Sequence, residues 1–537
     1  MAAKIFKVLG YTLPLSCLVS CTLDAKKTSE VKTSENSLRF PIGTNMCTVD
    51  PTRCTSMPTY QVLMHIYEGL VSLGEDNEPV PQLASHWTLS KDRKTYTFHI
   101  RHDAQFHNGD PVTSEDVKWS LERICDPRTG APNAGIHLKD IEGLEKRIAG
   151  DAKEISGVQT IGADKIRITL KHPRVYFLKK LALPIASVLP KNRVPRGEII
   201  KKDQIIGTGP FILSEHHRGQ LVVLKANKNY YGGKPGVNEL RIAIVKDRIT
   251  ALNKYKSGLF DFVHVPAIEV PAIQKNPDYK DQLRIYNFSA VYYLELNPKI
   301  YKPFESKKVR LAFGMAIDRD YFSNTMLPHI ATRATSIIAK GVLGHREDVA
   351  EVKFNPEKAR ELLKEAGYNP KSKKNNLPPL DIFLCTDAPT ARKVTENMAM
   401  QIRKNLGVPI KVRQVEWGTY ISKVNRKEVP FRFAGWTVNS SDPSNFLSAM
   451  FTSDSSLNHC NYSNKVYDQL CEEADGLHVT KDRLDLYAKA EDLLLQDGII
   501  YPLYYPKDVY LIRENVKGCR INLNGFLPHF KVRVEKQ

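Results

Sequence analysis

Three histidines, His99, His102 and His107, crowd into HIRHDAQFHNGD as the ligands of a metal would. The segment YTFHI (96–100) alternates apolar and polar with period two, however. On such a strand His99 and His102 have opposite parity and face opposite sides, so no shared metal site is expected. GTGPF (207–211) has the look of a phosphate loop, but it lacks a third glycine and opens no helix, so it reads as a tight turn. The GxxxxGK(S/T), GxSxG and HExxH patterns are absent, and with them ATP hydrolysis and the commoner hydrolase chemistries. No catalytic residue, cofactor or metal ligand is expected. The remaining segment of interest is FRFAGWTVNSSDPSNF (431–446). There one of the four tryptophans, Trp436, closes an apolar run and is followed by Asn439, Ser440, Ser441 and Asp442. Asp-Pro and serine-rich runs are ordinary turn chemistry, so the segment reads either as a core strand entering a turn or as the rim of a binding site.

Elements able to position such a rim are spread along the chain. KIRITL (165–170) and ELRIAIV (239–245) alternate as strands do. TSEDVKWSLERI (113–124) opens with Thr113 and Asp116 at capping-box spacing and puts Val117, Leu121 and Ile124 on one helical face. NPEKARELLKEAG (355–367) is predicted as a helix capped by Asn355, with Pro356 in its first turn and Gly367 ending it. DRLDLYAKAEDLLLQDG (482–498) repeats that design. The class is α/β or mixed α+β, without internal repeats. A chain of 537 residues should form two or three lobes.

The composition, 42% hydrophobic and 26% charged, is that of a globular protein. The net charge of +19 is dispersed and carries no nucleic-acid-binding signature, so nucleic acid is not expected as a partner. Lys4 and Lys7 precede a short apolar stretch, VLGYTLPLSCLVS (8–20), too brief to span a bilayer. It runs into Leu18-Val19-Ser20-Cys21, which resembles the lipobox of bacterial lipoproteins. That resemblance implies a signal peptide over 1–20, lipidation of Cys21, a polar tether over 21–37 and export to a membrane surface facing the periplasm or cell exterior. Of the seven other cysteines apart from Cys17, Cys47 and Cys54 are near enough in sequence to bridge.

Residues 82–127, QLASHWTLSKDRKTYTFHIRHDAQFHNGDPVTSEDVKWSLERICDP, resemble the signature of the family 5 extracellular solute-binding proteins, receptors of ABC importers. Further landmarks follow in order: IIGTGPF (205–211), NKNYYGG (227–233), LELNPKIYKPFESKKVRLAFGMAIDRD (294–320), NPEKARELLKEAGY (355–368) and GWTVNSSDPSNF (435–446). The likeness spans about residues 40–530. DPTRCTSMPTYQVLMHIYEGL (50–70) and DPRTGAPNAG (126–135) are most similar to the oligopeptide-binding branch.

The resemblance implies a two-lobed periplasmic-binding-protein type II fold with an extra domain and a ligand cleft between lobes. Domain I would comprise 38–70, 181–289 and 506–537, domain II 71–180 and domain III 290–505. It implies a monomer that binds short peptides and delivers them to an ABC permease. Trp436 would wall a side-chain pocket, with Gly435 and Thr437 as backbone partners, Trp417 as a second pocket aromatic, and Ser56 and Met57 on a facing strand. Four of the family's polar contacts are replaced here. The aspartate that receives a peptide's α-ammonium is Asn439, an arginine is Phe433, a tyrosine is Asn133 and a glutamate is Thr55. Asp442 stands in for the missing acid only if its loop shifts. The ligand therefore stays open between ordinary short peptides and a non-standard one, such as a peptidoglycan-derived or N-blocked peptide or another metabolite. A surface adhesin on the same scaffold is the remaining alternative.

Overall fold

The computed structural model describes residues 36–536, apart from 75–76, 133, 195–196, 202–203, 370–375, 386–388, 438–441, 479 and 522–528. The expected signal peptide, Cys21 and the expected tether up to residue 35 lie outside the described residues; the tether's last residue, Ser37, instead begins the first strand, Ser37–Ile42.

The predicted elements form where their end signals put them. The Ser114–Ile124 helix is capped by Thr113, whose side chain accepts from the Asp116 amide while the Asp116 carboxylate accepts from the Thr113 amide at 2.9 Å. Asn355 caps the Pro356–Glu365 helix, Ala359 and Leu363 are buried, and Gly367 leaves with φ +88°. The last helix begins slightly earlier than predicted, as Thr480–Gln496.

Three sheets organise the cores. In the first, Ser37–Ile42 lies parallel to Glu239–Ile244, followed by Leu221–Ala226 and Phe211–His217. Its core draws Leu38, Leu224, Ile242, Ile512 and Val532 from the beginning, middle and end of the described chain. The second is antiparallel: Ala84–Leu89, Thr95–Ile100, Lys165–Thr169 and Val158–Ile161. The third runs Phe262–His264, Ile500–Ile512, Ala290–Leu296, Phe431–Thr437, with Leu283–Asn287 and Ala331–Arg333 also on the long Ile500–Ile512 strand.

That long strand passes from one core to another. Tyr501 and Leu503 belong to a core with Leu294 and Phe431, whereas Tyr510 and Ile512 pack with Phe40 and Phe262. Between them burial falls at Lys507 and Asp508. A buried pair fixes the segment that leads to Thr55. Arg123, fully buried on its helix, donates to Asp50 at 2.5 Å and to Thr52 at 3.1 Å. Such a charge is tolerated inside only with its partners in place.

Candidate functional site

Phe431–Thr437 is the outer strand of its sheet, paired antiparallel with Ala290–Leu296 and with no other described strand. The Asn297 amide donates to the Pro430 carbonyl at 2.9 Å, and Asn297 and Pro430 stand opposite each other one step beyond the Leu296–Phe431 pair. Backbone groups alternate along an antiparallel ladder. The amides and carbonyls of Arg432, Ala434 and Trp436 therefore turn inward, and those of Phe433, Gly435 and Thr437 turn to the unpaired edge. Side chains alternate too, so the apolar run that Trp436 closes divides between the two faces of the strand. Phe431 and Phe433 enter one core, and Ala434 and Trp436 pack against another on the opposite face. The Trp436 indole N–H donates to the Asn445 carbonyl at 2.9 Å, fixing the ring against the segment that follows.

Trp436 and Thr437 open onto a cavity of about 880 Å3. Thr55, which is exposed, also lines it. One wall carries His137, Lys139, Arg174, Tyr176 and Lys180, and the other Asp454, Asp468, Glu472 and Asp475. The acidic wall has a simple local origin. Asn464 caps the Lys465–Gly476 helix, accepting from the Val466 and Tyr467 amides, and spacings of four and three put Asp468, Glu472 and Asp475 on one helical face.

Each of those three acids already holds a donor. Asp468 accepts from the Ser453 amide at 2.9 Å, and Glu472 accepts from Arg174 with both oxygens at 3.1 Å. Asp475 accepts from the Tyr487 hydroxyl and, at 3.0 Å, from Ser448. Only 6% of Asp475 is exposed, and desolvation pushes its carboxyl up to about 6 against the pull of those donors. Across the cavity, Lys180 pairs with Asp140 at 2.8 Å and stands 4.4 Å over the Tyr176 ring. Burial, helped by Lys180, pulls His137 down to about 4, so it is neutral at pH 7.

The expected site residues separate into groups. Thr55, Trp436 and Thr437 share the cavity, and Gly435 adjoins them with its backbone on the open edge. A Cβ at Gly435 would meet the Tyr292 ring at 2.5 Å, so only glycine fits that packing without a shift. Ser56 and Met57 are not on a strand: Ser56 caps the Met57–Leu63 helix, and Pro58 takes an early position where its missing N–H is not needed. Met57 is half-buried against the first core. Phe433 stacks on Tyr292, 5.3 Å between centroids, and its side chain does not reach the cavity. Trp417 begins the Trp417–Asn425 helix, stacks on Tyr420 and is 56% exposed, away from this cavity. Asp442 is buried and bound to Arg483 at 2.6 and 3.1 Å, which removes it as a relocated acid. Asn133 and Asn439 lie outside the described residues. Cys47 and Cys54 are both free thiols, Cys47 lying 3.3 Å from the Thr59 hydroxyl.

Arg174 and Tyr176 escape the sequence reading, because HPRVYF has no periodicity to mark them. The acidic helical face was legible from the spacing of 468, 472 and 475.

Residues 78–458 match the model of the bacterial extracellular solute-binding proteins, family 5. The chain is 30% identical to the dipeptide-binding protein DppE of Bacillus subtilis, covering 97% of each. It superposes on the murein tripeptide binding protein MppA of Escherichia coli with a TM-score of 0.80 at 26% identity, covering 94% of this chain and 99% of that one. With Haemophilus influenzae OppA in complex with the peptide RPPGFSPFR the TM-score is 0.78 at 25% identity, covering 94% and 100%.

Proposed function

Since the chain belongs to the family 5 bacterial extracellular solute-binding proteins, with their two-lobed α/β fold, we propose that it captures short peptides and delivers them to an ABC permease. The observation that carries this reading is the unpaired edge at Gly435 and Thr437, on the rim of the cavity that Trp436 walls. An extended peptide offers the same N–H and C=O pattern whatever its side chains, so it can add to such an edge as a further strand. The names of DppE and of the peptide complex of H. influenzae OppA point the same way.

In this reading domain I comprises 38–70, 181–289 and 506–537, domain II 71–180 and domain III 290–505. The thinly buried stretch at Lys507 and Asp508 is where the lobes pivot, and closure draws its free energy from contacts made only in the closed state. The receptor acts as a monomer tethered by a lipid on Cys21. Membrane partitioning tests the tether: the full-length protein should enter detergent, and Cys21→Ala should remain in the aqueous phase. Capture is tested by adding a tripeptide library to the purified protein. Binding should raise the melting temperature by linkage and change tryptophan fluorescence as Trp436 loses water. A folded protein that responds in neither way contradicts the proposal.

A further inference from the structure

Arg174 stands at the mouth of the basic wall, 9% exposed, with its guanidinium between two acids from different parts of the chain. On its own side, Nε lies 3.5 Å from Asp140, a carboxylate already taken by Lys180 at 2.8 Å. Across the cavity, Nη2 meets both oxygens of Glu472 at 3.1 Å. The Glu472 side chain is 62% exposed. An ion pair with so wet a partner is weakly held, and another carboxylate can replace that partner at small cost.

A second observation points into the same space. Tyr176, two residues on, is 5% exposed and lines the cavity. Among the described residues its hydroxyl meets no hydrogen-bond partner. Burial keeps the phenol protonated, so an O–H donor is held unused beside the guanidinium. The hydroxyl opens onto the cavity, where a bound acceptor can take its hydrogen bond in place of water.

We propose that Arg174 and Tyr176 form a subsite for the carboxylate of the ligand, which displaces Glu472 and takes the Tyr176 hydroxyl as an additional donor. The planar guanidinium suits a carboxylate in the two-pronged arrangement it now makes with Glu472. The inference rests on the peptide reading and gives it a direction: the acidic end of the peptide lies on the 135–183 wall. Selection in this cavity would then depend on the ligand's negative charge, since Asp468 and Asp475 on the facing helix keep their own donors.

The test is competition between two equimolar tripeptide libraries, one with free carboxyl termini and one amidated, read by native mass spectrometry of the retained ligand. Wild type should prefer the free acids by about tenfold, the scale of a charge-assisted hydrogen bond. Arg174→Gln should bring the preference within about twofold, and Tyr176→Phe should lower it by about threefold. Glu472→Gln should instead strengthen binding of the acids by about threefold, because it removes the internal competitor. A merely structural role for the pair would not produce that gain. Equal retention of both libraries by wild type, or weaker binding after Glu472→Gln, overturns the inference and leaves the peptide reading standing. Retention of neither library by the folded protein overturns both.

Discussion

Arg483 donates to both carboxylate oxygens of Asp442, at 2.6 and 3.1 Å, and both residues are buried. The acid that follows Trp436 in sequence is thus used inside the protein, where it also accepts from the Ser444 amide and hydroxyl at 3.0 and 2.6 Å. Asp442→Asn should cost about 3–5 kcal/mol of stability by stranding Arg483. The Asp442 carboxyl is held below its ordinary range, with desolvation outweighed by Arg483 and Ser444. Its contribution should therefore be present at neutral pH and fade as the pH falls below the usual carboxylate value. Denaturant titrations of wild type and variant across pH measure both effects.

In the peptide reading, Asn439 is the residue expected to meet the amine end of the ligand. It carries no charge to leave unpaired, and its amide serves an ammonium or a neutral acceptor. Free and N-acetylated tripeptides should bind within a few-fold of one another, and Asn439→Asp should favour the free amine by about tenfold. Strong amine selectivity in wild type contradicts this expectation, and Asp442 cannot be invoked to rescue it.

Thr437 offers its amide to the open edge. Proline there removes one outward donor and leaves the ladder to Ala290–Leu296 intact, because edge positions whose N–H faces solvent accept proline. Thr437→Pro should weaken peptide binding about three- to tenfold, the worth of one hydrogen bond. The melting temperature should stay within about 2 °C. Unchanged affinity, measured by calorimetry, would remove strand addition at this residue.

Asp475 behaves oppositely to Asp442. Its folded-state carboxyl titrates near 6, above the unfolded value, so the folded state binds the extra proton between the two. Wild-type stability should fall as the pH rises through that window. Asp475→Asn avoids the loss, and its stability relative to wild type should rise by up to about 3 kcal/mol from pH 4 to pH 7. Paired chemical denaturation at the two pH values measures the change, and a pH-independent difference would refute it.

Local signals in the sequence show the structure where the governing forces are local. Thr113 with Asp116, and Asn355 with Pro356 and Gly367, set helix ends through their own backbone bonds. Ser56-Met57-Pro58 carries the same kind of signal, a good helix start, and the structure forms a helix there rather than the facing strand that the resemblance implies. Parity alone separates Trp436 from Phe431 and Phe433. By contrast, nothing near Asp442 in the chain announces Arg483, and nothing near Arg174 announces Glu472, 298 positions away. Pairs of that kind are made by tertiary packing and leave no periodic trace.

The central claim is that the cavity beside Trp436 is a peptide cleft. Native mass spectrometry of protein purified without refolding tests it most directly, before and after addition of a tripeptide library. The account predicts a native mass exceeding that of the chain by one short peptide, released on denaturation and identifiable by fragmentation. A native mass equal to that of the folded chain alone, unchanged by the library, would contradict it.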